Sequence, residues 1–236
     1  HIVEAAEASL RRLGTDYLDL YYIHHVDIET PLDEMLRAFD DLVRQGKVRY
    51  IGASNFAGWH LAKALGVSAL HHWEPFTCLQ PEYSLITRDA ERELLPLCRD
   101  AGLAVIPWSP LGGGLLSGKY RPGETPPANT RAGDSTPSAV LMRVRMQEER
   151  NFAVAQAVQE IADGLGRSMA QVALNWVLHR PGVTAPIIGA RTVAQIEDNL
   201  AAFGWRLEAD VVVQLDAASA IERGYPYDFI DWIHQR

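Results

Sequence analysis

Four residues stand where an apolar run gives way to a loop, and each carries a group that can bind or polarise a ligand: the imidazole of His24, the hydroxyl of Ser54, the amide of Gln80 and the indole of Trp108. They follow one another at intervals of about 26–30 residues, close to the length of one strand–helix–strand unit. That spacing puts them at the same end of successive parallel strands. Further along, the stretch from Ala185 to Asn199 reads as a buried strand ending at Gly189, then Arg191, then a helix opened by the capping box Thr192-x-x-Gln195. Without a Cβ at Gly189 a ligand can approach the backbone, and free helix-start amides beside a guanidinium fork favour an anion. A phosphate is the natural occupant, and Gly112-Gly113-Gly114 after Trp108 marks a second place of close approach.

The elements that must hold these groups alternate. Ile2, Ala6, Leu10 and Leu13 form one helical stripe that Gly14 closes, and residues 17–23 read as a strand. A helix follows with Thr30 as its N-cap, Pro31 at its first position and Asp33 and Glu34 in its first turn; Gly46 stops it. Strands are predicted near 48–52, 76–79, 103–108 and 184–188, with helices over 57–66 and 89–101, a helix capped by Ser168-x-x-Gln171, and helices over 193–203 and 208–220. Residues 117–146 are irregular and too long for a plain connection, which predicts a functional or mobile segment. Apolar strands alternating with amphipathic helices imply a parallel α/β sheet, either an open doubly wound sheet or a closed (β/α)8 TIM barrel. The barrel fits better. No G-x-G-x-x-G follows an early strand, and the phosphate-type loops come after the last two strands, where barrels place them.

A formal net charge of -8 argues against a nucleic-acid footprint. No apolar run is long enough to span a bilayer and no signal-peptide pattern opens the chain, so a cytoplasmic location without membrane contact is expected. Cys78 and Cys98 lack C-x-x-C spacing, and the pairs His24-His25 and His71-His72 do not share a face, so neither a disulfide framework nor a metal site is indicated. Oligomeric state is not legible.

The motifs Tyr17-Leu18-Asp19-Leu20-Tyr21-Tyr22-Ile23-His24, Gly52-Ala53-Ser54-Asn55-Phe56, Gln80-Pro81-Glu82-Tyr83, Ile106-Pro107-Trp108-Ser109-Pro110-Leu111 and the 185–199 stretch come in an order and spacing that resemble the aldo-keto reductase superfamily, especially its bacterial and channel-β-subunit-like branches. The resemblance implies a (β/α)8 barrel that binds NADPH and reduces a small carbonyl substrate. It makes His24 the group that hydrogen-bonds the substrate carbonyl oxygen. Ser54, Asn55 and Gln80 become the grip on the nicotinamide carboxamide, and Trp108 the aromatic on which the nicotinamide stacks. Ser109, Leu111, Gly113 and Lys119 resemble pyrophosphate-loop contacts and Arg131 a loop arginine that closes over the cofactor. Gly189, Arg191, Gln195, Asp198 and Asn199 resemble the contacts to the 2′-phosphate and adenine.

The family's chemistry rests on an Asp, a Tyr, a Lys and a His, and only the His has a counterpart here. Five predicted strands against eight imply that 1–236 is a partial barrel lacking its first three βα units, on the order of 80–100 residues. The intact protein is then expected to be an NADPH-dependent reductase and this chain alone inactive. The alternative is an NADPH-binding regulatory subunit or a catalytically impaired relative. Tyr21, Tyr22 and Tyr83 lie outside the family's tyrosine motif and are not expected to donate the proton.

Overall fold

Four strands pair in the order in which the chain makes them: β1 (Leu18–Ile23), β2 (Val48–Ser54), β3 (Phe76–Gln80) and β4 (Ala104–Val105), every pair parallel. In the computed structural model, which describes residues 1–234, they belong to a first unit made of His1–Pro81 and Glu93–Ile106. A second unit holds Glu82–Arg92 and the chain from Pro107 onward.

In the first unit α1 (Ile2–Leu13) precedes the sheet, while α2 (Leu32–Arg44), α3 (Gly58–His71) and α4 (Leu94–Asp100) make the crossovers that parallel neighbours require. Gly14 ends α1 in the left-handed region at φ 67°. The start of α2 differs from expectation, because Thr30 does not cap it: its hydroxyl donates to Asp27 Oδ2 at 2.6 Å, and Asp27 Oδ1 accepts from Glu29 N at 2.9 Å. A carboxylate at the head of the turn takes the local donors first. Leu36, Phe39 and Leu42 of α2 are buried, and the Phe39 and Phe56 rings pack edge-on against Phe76 at 6.3 and 5.7 Å.

Gly52, inside β2, has no room for a side chain. A Cβ there would lie 2.5 Å from Tyr22 Cε1 and 2.7 Å from Cys78 Sγ. Tyr22 and Cys78 meet in that space, the thiol donating to the phenol oxygen at 3.1 Å. Burial pushes both thiols up, Cys98 to about 11, so neither is a thiolate at neutral pH.

The second unit is helical: α5 (Pro137–Arg145), α6 (Glu149–Leu165), α7 (Met169–Leu178), α8 (Val193–Leu200), α9 (Ala209–Ala218) and α10 (Tyr227–His234). Its core centres on Trp176, with Tyr83 at 5.5 Å and the guanidinium carbons of Arg88 and Arg180 at 5.2 and 4.6 Å from the indole. The buried Arg88 is forked onto Glu91, and the half-buried Arg180 donates through Nη1 to both carboxylate oxygens of Asp216, so these charges are paired.

The predicted strand over 184–188 does not form. Ile187 N donates to Pro107 O at 2.7 Å, but Pro107 and Pro186 have no N–H to extend a ladder. Pro107 also shortens the strand predicted over 103–108 to Ala104–Val105, with Ile106 N still reaching Leu79 O at 2.9 Å. The parallel sheet therefore has four strands among the described residues, not the five expected, and β1 pairs only with β2. The helix expected over 89–101 divides into a 3-10 turn at Asp89–Glu91 and α4, and the excursion over 117–146 contains α5.

Candidate active site

In the first unit the parallel register sets Ile23 opposite Ala53 and Ser54 opposite Gln80, so His24, Ser54 and Gln80 leave the sheet at one edge. Side chains lock that edge together. Ser54 Oγ donates to Gln80 O at 2.8 Å, and Asn55 Nδ2 donates to His24 O at 2.8 Å and to Ser54 Oγ at 3.1 Å. Asn55 does this from a left-handed backbone at φ 56°, a conformation that asparagine tolerates better than most residues. The His24 ring is exposed and edge-on to His25 at 6.0 Å, and among the described residues it has no hydrogen-bond partner. A histidine serving only to satisfy a strand end would spend its ring nitrogens on backbone. Here the backbone carbonyl of His24 is held by Asn55 and its imidazole is exposed. Burial, followed by the Cys78 contact, pushes the Tyr22 phenol pKa up, the wrong direction for a proton donor at neutral pH.

In the second unit Trp108 is half-buried, and its carbonyl accepts from Tyr83 N at 3.3 Å. Ser109 follows at φ 55°; its Oγ accepts from Gly113 N at 3.0 Å and its carbonyl from Gly112 N at 2.9 Å. Leu111 O accepts from Gly114 N at 2.9 Å and from Leu116 N at 3.2 Å, which completes the turn. Gly113 and Gly114 have φ of 68° and 101°, and side chains there would collide with Met142 Sδ and the end of Lys119. Lys119 and Arg131 are both exposed.

At the phosphate-type turn nothing lies within 4 Å of where a Gly189 Cβ would stand. Thr192 Oγ1 caps α8 by accepting from Gln195 N at 3.2 Å, as the sequence predicts. Gln195 Oε1 reaches one residue beyond the cap, accepting from Arg191 N at 2.8 Å. Arg191 is exposed, and its Nη1 donates to the Asn129 carbonyl at 2.5 Å. Asp198 has other work: Ser168 Oγ donates to Oδ2 at 2.9 Å and Gln171 Nε2 to Oδ1 at 2.6 Å, tying it to the start of α7. Asn199 is buried at 5% exposure. The structure thus joins Arg191 to Gln195 two residues after Gly189 and engages Asp198 elsewhere. Asn129 is a contact that sequence reasoning missed; 62 residues separate it from Arg191, and no local pattern signals it. Among the described residues no group of His, Cys, Asp and Glu could hold a metal ion, and no helix is long and apolar enough to cross a membrane.

The first unit thus brings parallel βα units with a histidine and two amide side chains to one set of strand ends. The chain belongs to the Aldo/keto reductase family, whose match covers residues 1–220. The four parallel strands are consistent with the (β/α)8 barrel that this family implies. The chain is 42% identical over 210 residues to the uncharacterized oxidoreductase YrpG of Bacillus subtilis, covering 89% of this chain and 61% of the relative. It is 40% identical over 216 residues to versiconal hemiacetal acetate reductase of Aspergillus parasiticus, covering 92% and 61%. A norsolorinic acid reductase of Emericella nidulans is 32% identical over 227 residues, covering 96% and 55%. The chain therefore spans somewhat over half the length of these relatives.

Proposed function

We propose that the whole protein reduces the carbonyl group of a small aldehyde or ketone, using NADPH, on the catalytic face of a (β/α)8 barrel. The observation that carries this reading is the strand-end set of His24, Ser54, Asn55 and Gln80, in which the backbone is pinned by side chains and the imidazole of His24 stays exposed. The residues present suit the cofactor. Gly189 leaves its backbone open two residues before the exposed Arg191, which fits a 2′-phosphate, and the tight Ser109–Gly114 turn, closed by its own glycine N–H groups, would present a rigid backbone surface to a pyrophosphate.

Bound NADPH supplies hydride from C4 of its nicotinamide. Gln80 carries the amide that would meet a carboxamide, with Ser54 holding its backbone, while both N–H donors of Asn55 serve to tie His24 and Ser54 beside it. Trp108 offers a flat face for ring stacking, and Lys119 and Arg131 supply local positive charge in a chain whose net charge is -8. His24 donates a hydrogen bond to the carbonyl oxygen, which polarises the carbon toward hydride and stabilises the developing alkoxide. Residues 1–236 hold no counterpart of the family's Asp, Tyr and Lys, so turnover is assigned to the whole protein. The second reading is a protein that binds NADPH without turnover, and the same shortfall favours it.

Following NADPH absorbance with a panel of aldehydes separates the two. Aldehyde-dependent NADPH loss is expected; saturable binding with no loss across the panel would establish the second reading.

A further inference from the structure

We propose that Glu82 and Arg145 are a positioning pair that sets Trp108 and the Gly113 turn for cofactor binding, an inference that rests on the NADPH reading above. Glu82 acts through both its backbone and its side chain. Its backbone forms a parallel bridge with Trp108, and the N–H of the next residue, Tyr83, donates to Trp108 O. Its carboxylate receives a forked pair of bonds from Arg145, Nη2 to Oε2 at 2.6 Å and Nη1 to Oε1. The two side chains are only 16% and 19% exposed, so this is a largely desolvated pair rather than a surface contact.

Arg145 is the last residue of α5, and the rest of that helix reaches the same loops. Met142 Sδ occupies the space that a side chain at Gly113 would need. Arg143 Nη1 donates to the carbonyls of Ala132 at 2.8 Å and Asp134 at 2.9 Å, next to Arg131. The Arg145 carbonyl accepts from Asn151 Nδ2 at 3.0 Å, and that amide also donates to Glu148 Oε2 at 2.9 Å, which fixes the turn into α6. One short helix therefore carries anchors to the Glu82–Trp108 bridge, to the Gly113 turn and to the Arg131 segment. Removing either charge leaves its partner buried and unpaired, so the end of α5 must shift to reach water. That shift reaches Trp108 through the Glu82 backbone and Gly113 through Met142. A displacement of about an ångström at a positioning contact is enough for a large loss of function.

The test uses the whole protein, unaltered and as Glu82→Gln, Glu82→Asp and the swapped double variant E82R/R145E, with NADPH affinity read by fluorescence titration and Tm read alongside. Glu82→Gln is expected to raise the Kd for NADPH about tenfold while the protein remains folded, and the swap to recover most of that loss. If Glu82→Gln does not fold, Glu82→Asp, which keeps the charge but draws it back from Arg145, is expected to show the rise instead. Folded variants with a lowered Tm and an unchanged Kd would overturn the proposal and leave the pair a structural staple. So would a swap that binds no better than Glu82→Gln. Absence of saturable NADPH binding by the unaltered protein would overturn the cofactor reading itself, and this inference with it.

Discussion

His24→Ala in the whole protein is expected to lower kcat by about a hundredfold or more, with little change in the Kd for NADPH. The size follows from the role: a donor aimed at an oxygen that gains charge in the transition state contributes to the chemical step rather than to ground-state binding. The structure makes the substitution a clean one. Asn55 Nδ2 holds His24 through its backbone carbonyl, which alanine keeps, and the ring itself is exposed. Steady-state kinetics at saturating cofactor, paired with a binding titration, read the two parameters separately. Turnover equal to that of the unaltered protein would leave His24 a strand-end residue with no part in the chemistry.

Arg191→Ala should weaken NADPH binding by roughly ten- to a hundredfold and leave NADH binding nearly unchanged. Hydrogen bonds to charged groups contribute about 1.5–3 kcal/mol each, and about 1.4 kcal/mol corresponds to a factor of ten in affinity. The guanidinium donates to the Asn129 carbonyl, a neutral acceptor, and it is exposed. A phosphate is the stronger acceptor and would take those donors over. The loss should also shrink as salt is raised, because an exposed pair is screened. Parallel titrations with the two cofactors decide the matter. An equal loss for both would mean that Arg191 serves to hold the Asn129 segment rather than to recognise a 2′-phosphate.

Much of the strand-end layout was legible because it depends on local patterns. The strands ending at Ile23, Ser54 and Gln80 show as apolar runs, and at Ser168 and Thr192 the hydroxyl caps form as read, although Gln171 and Gln195 turn their amides to Asp198 and to Arg191 N instead of closing the box. Where the reading failed, a competing local partner or a missing donor explains it. Thr30 lost the cap of α2 to the Asp27 turn, and the run over 184–188 has strand composition but meets Pro107 beside its own Pro186. Hydrophobic periodicity carries no information about N–H supply. Long-range polar partners were not legible at all. Nothing near Asp198 announces that Ser168 and Gln171 engage its carboxylate, and nothing near Glu82 points to an arginine 63 residues away. The candidate site residues could be named from sequence, while the bonds that hold them required the fold.

The central claim is that the protein delivers hydride from NADPH to a carbonyl carbon. Its most direct measurement is to incubate the whole protein with an aldehyde and NADPH carrying deuterium at both C4 positions, and to analyse the alcohol by mass spectrometry. Direct transfer predicts one deuterium on the carbinol carbon of each alcohol formed. An alcohol without the label, or bound NADPH with no alcohol formed from any aldehyde tried, would contradict it.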